Sequence, residues 1–179
     1  WMDVGTIESY WQAHMDLLTS PPSFNLYNPN WVIHTRAEER PPARIHRGST
    51  IEDSLVCHGC TIEPGAKVIR SVLSQGVTVS SGCIIQDSII LTNTYIDSNC
   101  EVLRSVLDKR IKVSSGCHIG ALDESNAIAM IGRNSEIPAG TLISPGAMIG
   151  ADVISSDFSS LTINPGEFVQ TRRLPNEVE

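Results

Sequence analysis

Aromatic and charged residues are both scarce in this sequence, and acidic residues outnumber basic ones. Of the 179 residues, 5% are aromatic and 18% are charged, and the formal net charge is -7 at neutral pH. A nucleic-acid-binding surface needs an excess of Lys and Arg, so the acidic balance argues against that class of protein. No apolar run approaches the roughly 20 residues of a membrane-spanning helix. Because 41% of the residues are hydrophobic, a packed core is expected.

The start of the chain lacks an initiator methionine and the basic and apolar regions of a signal peptide. We therefore expect a fragment or a processed product of a longer protein, located in the cytoplasm.

The five cysteines do not form a complete metal-binding motif. Cys57 and Cys60 make a Cys-x-x-Cys pair with His58 between them, but no second pair follows at the spacing of a structural zinc site. We expect instead that Cys57, Cys83 and Cys117 fill inward positions of the repeat described next, because a free cysteine packs as a small hydrophobic residue. Reduced thiols of this kind are typical of cytoplasmic proteins.

Apolar residues recur every six positions through residues 45–150, with Gly, Asn and small residues between them. Positions six apart lie far around a helix, so this spacing gives no helical apolar stripe. It predicts short strands joined by tight corners, in which each hexad supplies one face and its first residue points inward. The unbroken series are Ile131, Ile137, Ile143 and Ile149, and Val77, Cys83, Ile89 and Tyr95.

We therefore predict a mainly β fold, a left-handed parallel β-helix of hexapeptide repeats, over residues 45–150. At about 18 residues per coil, this segment gives about six coils. The repeat resets between Ile62 and Val77, and residues 120–130 contain no hexad and are expected to form an external loop. Residues 151–179 are predicted to be a C-terminal cap and tail, because the last coil of a solenoid exposes strand edges.

The first 44 residues follow a different pattern. Ile7, Trp11, Met15 and Leu18 recur at helical spacing and predict a short amphipathic helix with Thr6 as its N-cap. We expect its apolar face to need a partner domain that this chain does not contain. Residues 20–44 predict an extended linker into the β-helix, with one strand at residues 31–35.

Basic residues are concentrated in one short segment of this acidic chain, residues 104–112. Such a cluster can bind a phosphate group through charge-assisted hydrogen bonds. The alternative is an ordinary solvated face, which is the usual role of a charge run. The four residues are Arg104, Lys109, Arg110 and Lys112.

Several segments, taken in order, resemble one enzyme family. The opening Trp-Met-Asp-Val-Gly-Thr of residues 1–6 is similar to the segment that closes the nucleotidyltransferase domain of sugar-nucleotide pyrophosphorylases. The following helix, the Glu-Arg-Pro-Pro-Ala of residues 39–43, the hexads and the Thr-Arg-Arg-Leu-Pro of residues 171–175 resemble bacterial glucose-1-phosphate adenylyltransferase (ADP-glucose pyrophosphorylase). The resemblance implies that residues 1–19 end the nucleotidyltransferase domain and that the β-helix is a regulatory and oligomerisation domain.

The family makes ADP-glucose and pyrophosphate from ATP and glucose 1-phosphate with Mg²⁺, for glycogen synthesis. The resemblance implies that Asp3 is a Mg²⁺ ligand and that Trp1 lies beside the glucose. It also implies that phosphorylated effectors bind at Lys109 and Arg133, with Arg110 as a further candidate. No Gly-rich nucleotide loop is present, so we expect the chain to be inactive without its catalytic domain and to form a homo-oligomer.

Two other classes of function fit part of the sequence. His118 could be the general base of a hexapeptide-repeat acyltransferase, although the sequence does not place a carboxylate beside it. A three-His site like that of γ-type carbonic anhydrases needs close His pairs, which are absent. The β-helix could instead be a purely structural assembly scaffold, because its flat flanks can pack against like flanks. Neither enzyme alternative accounts for residues 1–6 or for the amphipathic helix.

Overall fold

The computed structural model describes residues 3–33, 38–122 and 127–174. Helix α1 spans Ile7–Met15 and continues as a 3-10 turn at Asp16–Leu18. None of the helices in these ranges is long and apolar enough to cross a membrane. The rest of the regular structure is a series of two- and three-residue strands and one further 3-10 turn at Ser155–Asp157. The strands are β1 Arg44–Ile45, β2 Thr50–Glu52, β3 Leu55–Val56, β4 Thr61–Ile62, β5 Lys67–Ile69, β6 Val72–Leu73, β7 Thr78–Val79, β8 Ile84–Gln86, β9 Ile89–Ile90, β10 Tyr95–Ile96, β11 Glu101–Leu103, β12 Ser105–Leu107, β13 Lys112–Val113, β14 His118–Ile119, β15 Ala129–Ile131, β16 Glu136–Ile137, β17 Leu142–Ile143, β18 Met148–Ile149, β19 Thr162–Ile163 and β20 Phe168–Val169.

The strands form three parallel sheets that run the length of a solenoid. Sheet 1 contains β1, β4, β7, β10, β13 and β16, sheet 2 contains β2, β5, β8, β11, β14, β17 and β19, and sheet 3 contains β3, β6, β9, β12, β15, β18 and β20. Each strand therefore pairs with strands of the coils before and after it, because its sequence neighbours belong to the other two sheets. This confirms the predicted left-handed parallel β-helix, with about seven coils.

The first coils are one residue shorter than the predicted 18, because the corner between sheets 2 and 3 is tight. A serine follows a left-handed residue at each of these corners, and equivalent serines are 17 residues apart. The Ser88 hydroxyl accepts the Ser105 N–H at 3.1 Å and donates to the Gln86 carbonyl at 2.7 Å. Because each of these coils has 17 residues instead of 18, the six-residue repeat changes phase between Ile62 and Val77, as the sequence indicated. The serines are Ser54, Ser71, Ser88 and Ser105, and the left-handed residues are Asp53, Arg70, Asp87 and Arg104.

The same short corner changes which face some hexad residues occupy. Val77 and Cys83 are fully buried in the interior, as predicted. Ile89, six residues later, lies on the outer face of sheet 3, and Tyr95 is exposed on the outer face of sheet 1. The prediction that both point inward was wrong, because the lost residue shifts the strand alternation by one. The later series with a six-residue spacing, Ile131, Ile137, Ile143 and Ile149, is buried as predicted.

An insertion enlarges one coil, and the strand ladder continues beyond residue 150. Side chains stacked across the insertion are 24 residues apart. The predicted loop of residues 120–130 contains no strand at 120–122 and 127–128, but its last two residues begin β15; residues 123–126 lie outside the described residues. Beyond 150, β19 and β20 pair with β17 and β18. The division into domains remains a prediction.

The cysteines are mostly core residues, with one exception. Cys83, Cys100 and Cys117 are fully buried, and the Cys83 thiol donates to the Asp97 carbonyl at 2.9 Å. Burial also raises the pKa of the Cys60 thiol. Cys57, predicted to point inward, is exposed. That prediction was wrong because β3 pairs with β6 in a register that turns Val56 inward, and Cys57 follows it on the outer side.

Helix α1 forms as predicted and lies on the solenoid itself. Thr6 is the N-cap: its hydroxyl accepts the Ser9 N–H, and the Ser9 hydroxyl accepts the Thr6 N–H, both at 3.1 Å. Trp11 and Met15 are buried against the outer face of sheet 3, mainly on Val72, Ile89, Val106 and Ile128. The expectation that this face needs another domain was wrong, because the outer residues of β6, β9 and β12 are themselves apolar.

The linker between the helix and the solenoid is irregular where it is described. Residues 31–33 form no strand, contrary to the prediction, whereas residues 34–37 lie outside the described residues. Trp31, Val32 and Ile33 are exposed, so no burial of apolar surface holds them in an extended pair.

Candidate functional site

Two of the predicted basic residues occupy equivalent positions in adjacent coils. At the corner between sheets 3 and 1, each coil has one left-handed residue, and its N–H donates to the carbonyl of the coil before. The Asn134 N–H donates to the Lys109 carbonyl at 2.9 Å, and the Asp152 N–H donates to the Arg133 carbonyl at 2.8 Å. Lys109 and Arg133 each come directly before a left-handed residue, so the corner stacks one above the other. Both are exposed. The left-handed residues are Gly59, Gly76, Asn93, Arg110, Asn134 and Asp152.

Arg110, the third predicted effector residue, is bonded within the corner. Its Nε donates to Asn134 Oδ1 at 2.7 Å, and Asn134 Nδ2 donates to Asp152 Oδ1 at 2.6 Å. This hydrogen-bond chain holds the corner together across three coils. Arg110 is exposed like Lys109 and Arg133, but its guanidinium is already bonded to Asn134.

Sequence reasoning missed one further basic residue near this corner. Arg173, from the C-terminal segment, donates from Nη2 to the Asp152 carbonyl. Arg173 lies 21 residues after Asp152, outside the hexads, so no repeat spacing indicated the contact.

A cavity of about 360 Å³ lies beside the stacked pair, between helix α1 and sheet 3. Asp108 and Gly132 line it, and each is followed directly by one of the stacked basic residues, Lys109 and Arg133. The cavity walls are mostly apolar, so the polar groups that could orient a ligand are few. The lining residues are Ile7, Tyr10, Leu91, Val106, Asp108, Met130, Ile131 and Gly132.

One titratable group in the cavity wall, Tyr10, is affected by its surroundings. Burial, and secondly the Asp108 carboxylate, raise the pKa of the Tyr10 hydroxyl above its ordinary value. The Lys109 backbone N–H donates to Asp108 Oδ1 at 2.8 Å and fixes that carboxylate. The positive charges of Lys109 and Arg133 would attract an anion, whereas the negative charge of Asp108 would repel one.

Of the two N-terminal residues that the family resemblance predicts to be functional, the structure describes one. Asp3 is exposed, and its Oδ1 accepts the Gly5 N–H at 3.0 Å; Trp1 lies outside the described residues. Within residues 3–33, 38–122 and 127–174, no cluster of three or more His, Cys, Asp or Glu side chains could hold a metal ion. Mg²⁺ takes one or two protein carboxylates and fills its other positions with water and phosphate oxygens. Asp3 fits such a role as a single ligand but does not make a site alone.

The alternative catalytic residue, His118, does have a carboxylate partner. Strands β11 and β14 pair Glu101 with His118, and His118 Nδ1 lies 3.1 Å from Glu101 Oε2. Both side chains are about half exposed on the outer face of sheet 2. The partner was hidden in the sequence because it lies one coil earlier.

Comparisons with known proteins agree with this architecture. A family model described as "GlmU-like, C-terminal hexapeptide" matches residues 41–136. The glucose-1-phosphate adenylyltransferase of Thermotoga maritima is 47% identical over 182 residues, which cover 96% of this chain and 43% of that protein. The enzyme of the same name from Thermomicrobium roseum is 42% identical, over 94% of this chain and 42% of that protein. The chain therefore spans about two fifths of the length of these curated relatives.

A solved structure, the acetyltransferase domain of PglB from Neisseria gonorrhoeae, aligns with a TM-score of 0.40 and 19% identity. The alignment covers 74% of this chain and 56% of that one. Similarity at this level supports no argument about function.

Proposed function

Because the chain belongs to the GlmU-like, C-terminal hexapeptide family, and because it resembles glucose-1-phosphate adenylyltransferases, we propose that it is the regulatory and oligomerisation part of such an enzyme. The complete enzyme converts ATP and glucose 1-phosphate to ADP-glucose and pyrophosphate, in the cytoplasm. The chain spans about two fifths of the length of these relatives, which supports a catalytic part outside the chain. We expect the chain alone to be inactive.

The stacking of Lys109 and Arg133 beside the cavity is the observation that carries the regulatory role. Two exposed cations in adjacent coils suit a phosphorylated metabolite, whose oxygens accept charge-assisted hydrogen bonds from both. Arg173 approaches the same corner and adds positive charge. Arg110 supports the corner by its bond to Asn134 and contacts the ligand less directly.

In the complete enzyme, Asp3 would supply one carboxylate ligand to Mg²⁺, which would serve to neutralise phosphate charge. The hydrogen bond from the Gly5 N–H orients the Asp3 carboxylate next to helix α1. Trp1 would lie beside the glucose. The remaining groups for the transfer reaction would come from the catalytic domain.

The test uses the longer polypeptide that contains this chain and the 179-residue chain itself. With ATP, glucose 1-phosphate and Mg²⁺, the longer polypeptide should release pyrophosphate and form ADP-glucose, and the 179-residue chain should form none. Absence of nucleotidyl transfer by the longer polypeptide would overturn the proposal. Transfer by the 179-residue chain would overturn the assignment of catalysis to a separate part.

Acyl transfer is the second candidate, and the contact between His118 and Glu101 favours it. A carboxylate beside Nδ1 fixes the orientation of the imidazole, as general-base catalysis requires. Acetyl-CoA turnover that is lost in His118→Gln would support this function. A chain that neither binds coenzyme A nor transfers acetyl groups would overturn acyl transfer, and the adenylyltransferase proposal would be the one that remains.

The proposed homo-oligomer has an apolar surface available to it. The outer residues of sheet 3 continue past helix α1, where Met148 is 37% and Phe168 is 51% exposed. Contiguous apolar surface of this kind supports association between copies. A pure assembly scaffold would self-associate equally well, but it would not bind phosphorylated metabolites at Lys109 and Arg133.

A further inference from the structure

Helix α1 contacts the two edges of sheet 3 in different ways. Towards the short corner between sheets 2 and 3, the Trp11 indole Nε1 donates to the Asp87 carbonyl at 2.7 Å. The Arg104 guanidinium lies 4.2 Å from the centre of the Trp11 ring, and Arg70 Nε donates to Asp87 Oδ1. A buried hydrogen bond and a cation–π contact thus fix this side of the helix.

Towards the corner between sheets 3 and 1, the helix borders a cavity. Ile7 and Tyr10 face the cavity of about 360 Å³, whose opposite wall includes Asp108 and Gly132. The stacked cations Lys109 and Arg133 follow these two residues directly. The first turn of α1 therefore borders this cavity as well as the apolar outer face of sheet 3, and it lies next to the proposed effector site.

The first turn is also connected to Asp3. Asp3 Oδ1 accepts the Gly5 N–H, and Thr6 and Ser9 bond to each other reciprocally at the start of the helix. These local hydrogen bonds, with the chain between them, connect Asp3 to the first turn of the helix. A displacement of Ile7 and Tyr10 accordingly displaces the Asp3 carboxylate.

We propose that helix α1 couples occupancy of the effector site to the position of Asp3, with Trp11 as the fixed point about which the helix turns. A phosphorylated anion held by Lys109 and Arg133 changes how Ile7 and Tyr10 pack over the cavity, and the helix transmits that change to residues 3–6. The inference rests on the proposed function. Coupling of this kind requires that the two positions of the helix differ in affinity for the anion.

The activity test compares two substitutions in the longer polypeptide. Trp11→Phe removes the N–H donor to Asp87 and keeps an aromatic ring, whereas Met15→Leu changes an equally buried side chain of the same helix that has no such bond. Inorganic phosphate, glucose 6-phosphate and fructose 1,6-bisphosphate are tested as effectors. We expect Trp11→Phe to lower the activation ratio about fivefold, equal to about 1 kcal/mol of coupling. Turnover without effector and the ratio in Met15→Leu should stay within about twofold of the unaltered protein.

The second readout is amide hydrogen exchange in the 179-residue chain, with and without the same three compounds. In the unaltered chain, the binding compound should change protection in residues 6–11. In Trp11→Phe, calorimetry should give the same dissociation constant within about twofold, and the change in protection should fall by half or more.

The outcomes separate this inference from the proposed function. If no compound binds to the chain or changes turnover, the effector site itself is wrong. If a compound binds and activates, but Trp11→Phe activates as the unaltered protein does, the coupling role of α1 is wrong. Equal losses in Trp11→Phe and Met15→Leu would also overturn it, because general packing would then explain the effect.

Discussion

At the scale of single residues, the exposed pair Lys109 and Arg133 gives the most direct prediction. Lys109→Gln and Arg133→Gln should each raise the dissociation constant of the activating phosphorylated compound about tenfold, because each removes a charge-assisted hydrogen bond of roughly 1.5 kcal/mol. Calorimetry on the 179-residue chain measures this. Lys112→Gln is the matched control, since Lys112 is exposed and already paired with Glu136 at 2.9 Å. Equal weakening in all three variants would indicate only a general effect of charge.

The serine ladder gives a stability prediction at the same scale. Ser88 is fully buried and accepts the Ser105 N–H, so Ser88→Ala leaves a buried donor without its acceptor. We expect the free energy of unfolding to fall by about 1–3 kcal/mol, measured by urea denaturation. Ser81→Ala, at an exposed corner position, should change it by less than about 0.5 kcal/mol. Similar values for the two variants would contradict a specific role for the ladder.

Single residues also show where sequence reasoning succeeds. The inward position of Ile131 and Ile137 follows from spacing alone, because a wrong register would expose a whole apolar column to water. The exposure of Cys57 and the pairing of His118 with Glu101 depend on which residues meet across coils. That register depends on one missing residue at each short corner, and hexad spacing does not reveal it.

At the scale of elements, the 3-10 turn at Ser155–Asp157 lies between β18 and β19, near the C-terminal end of the solenoid. Burial raises the pKa of Asp157, but hydrogen bonds from the N–H groups of Ile154 and Arg172, with Arg173 nearby, outweigh burial and hold the pKa below its usual range. Because the native pKa is lower than the unfolded one of about 3.9, the carboxylate stabilises the fold above that pH. The stabilisation is lost as the pH falls through the native pKa.

Asp157→Asn should therefore destabilise the chain in a pH-dependent way. At pH 7 we expect a loss of about 2 kcal/mol in the free energy of unfolding, since hydrogen bonds to a charged group contribute roughly 1.5–3 kcal/mol. The difference from the unaltered chain should shrink steadily as the pH falls below about 4 towards the native pKa, because the carboxyl of the unfolded chain is protonated first. Denaturation curves from pH 3 to pH 7 measure it. A difference that is constant over this range would show that the charge of Asp157 does not contribute.

For the elements around the candidate site, the sequence predicted local structure but not the contacts between coils. The amphipathic spacing of Ile7, Trp11 and Met15 gave helix α1 and its cap correctly, since both depend on neighbouring residues. The sequence did not predict the surface on which the helix packs. Val72, Ile89 and Val106 come from three coils, and they become one apolar column only after the solenoid has formed. Lys109 and Arg133 were each proposed from the family, but their stacking is a property of the corner.

At the scale of the whole molecule, helix α1 packs along the side of the solenoid and covers the outer face of sheet 3. Solenoid coils contact mainly their neighbours, so stability accumulates along the axis. Trp11 and Met15 instead contact the outer residues of several successive coils at once. The helix should thus make the middle coils unfold together and keep the outer face of sheet 3 from water.

Removing residues 1–19 tests this role. The shortened chain should lose about 3–5 kcal/mol or more of unfolding free energy, the usual cost of deleting one buried large aromatic side chain alone. It should also self-associate, because the apolar column of Leu55, Val72, Ile89 and Val106 becomes exposed and continues to Met148 and Phe168. Urea denaturation and light scattering over a concentration series measure the two effects. The control is a chain that lacks only residues 1–3 and keeps α1. A chain of residues 20–179 that is as stable and as dispersed as this control would contradict the structural role of the helix.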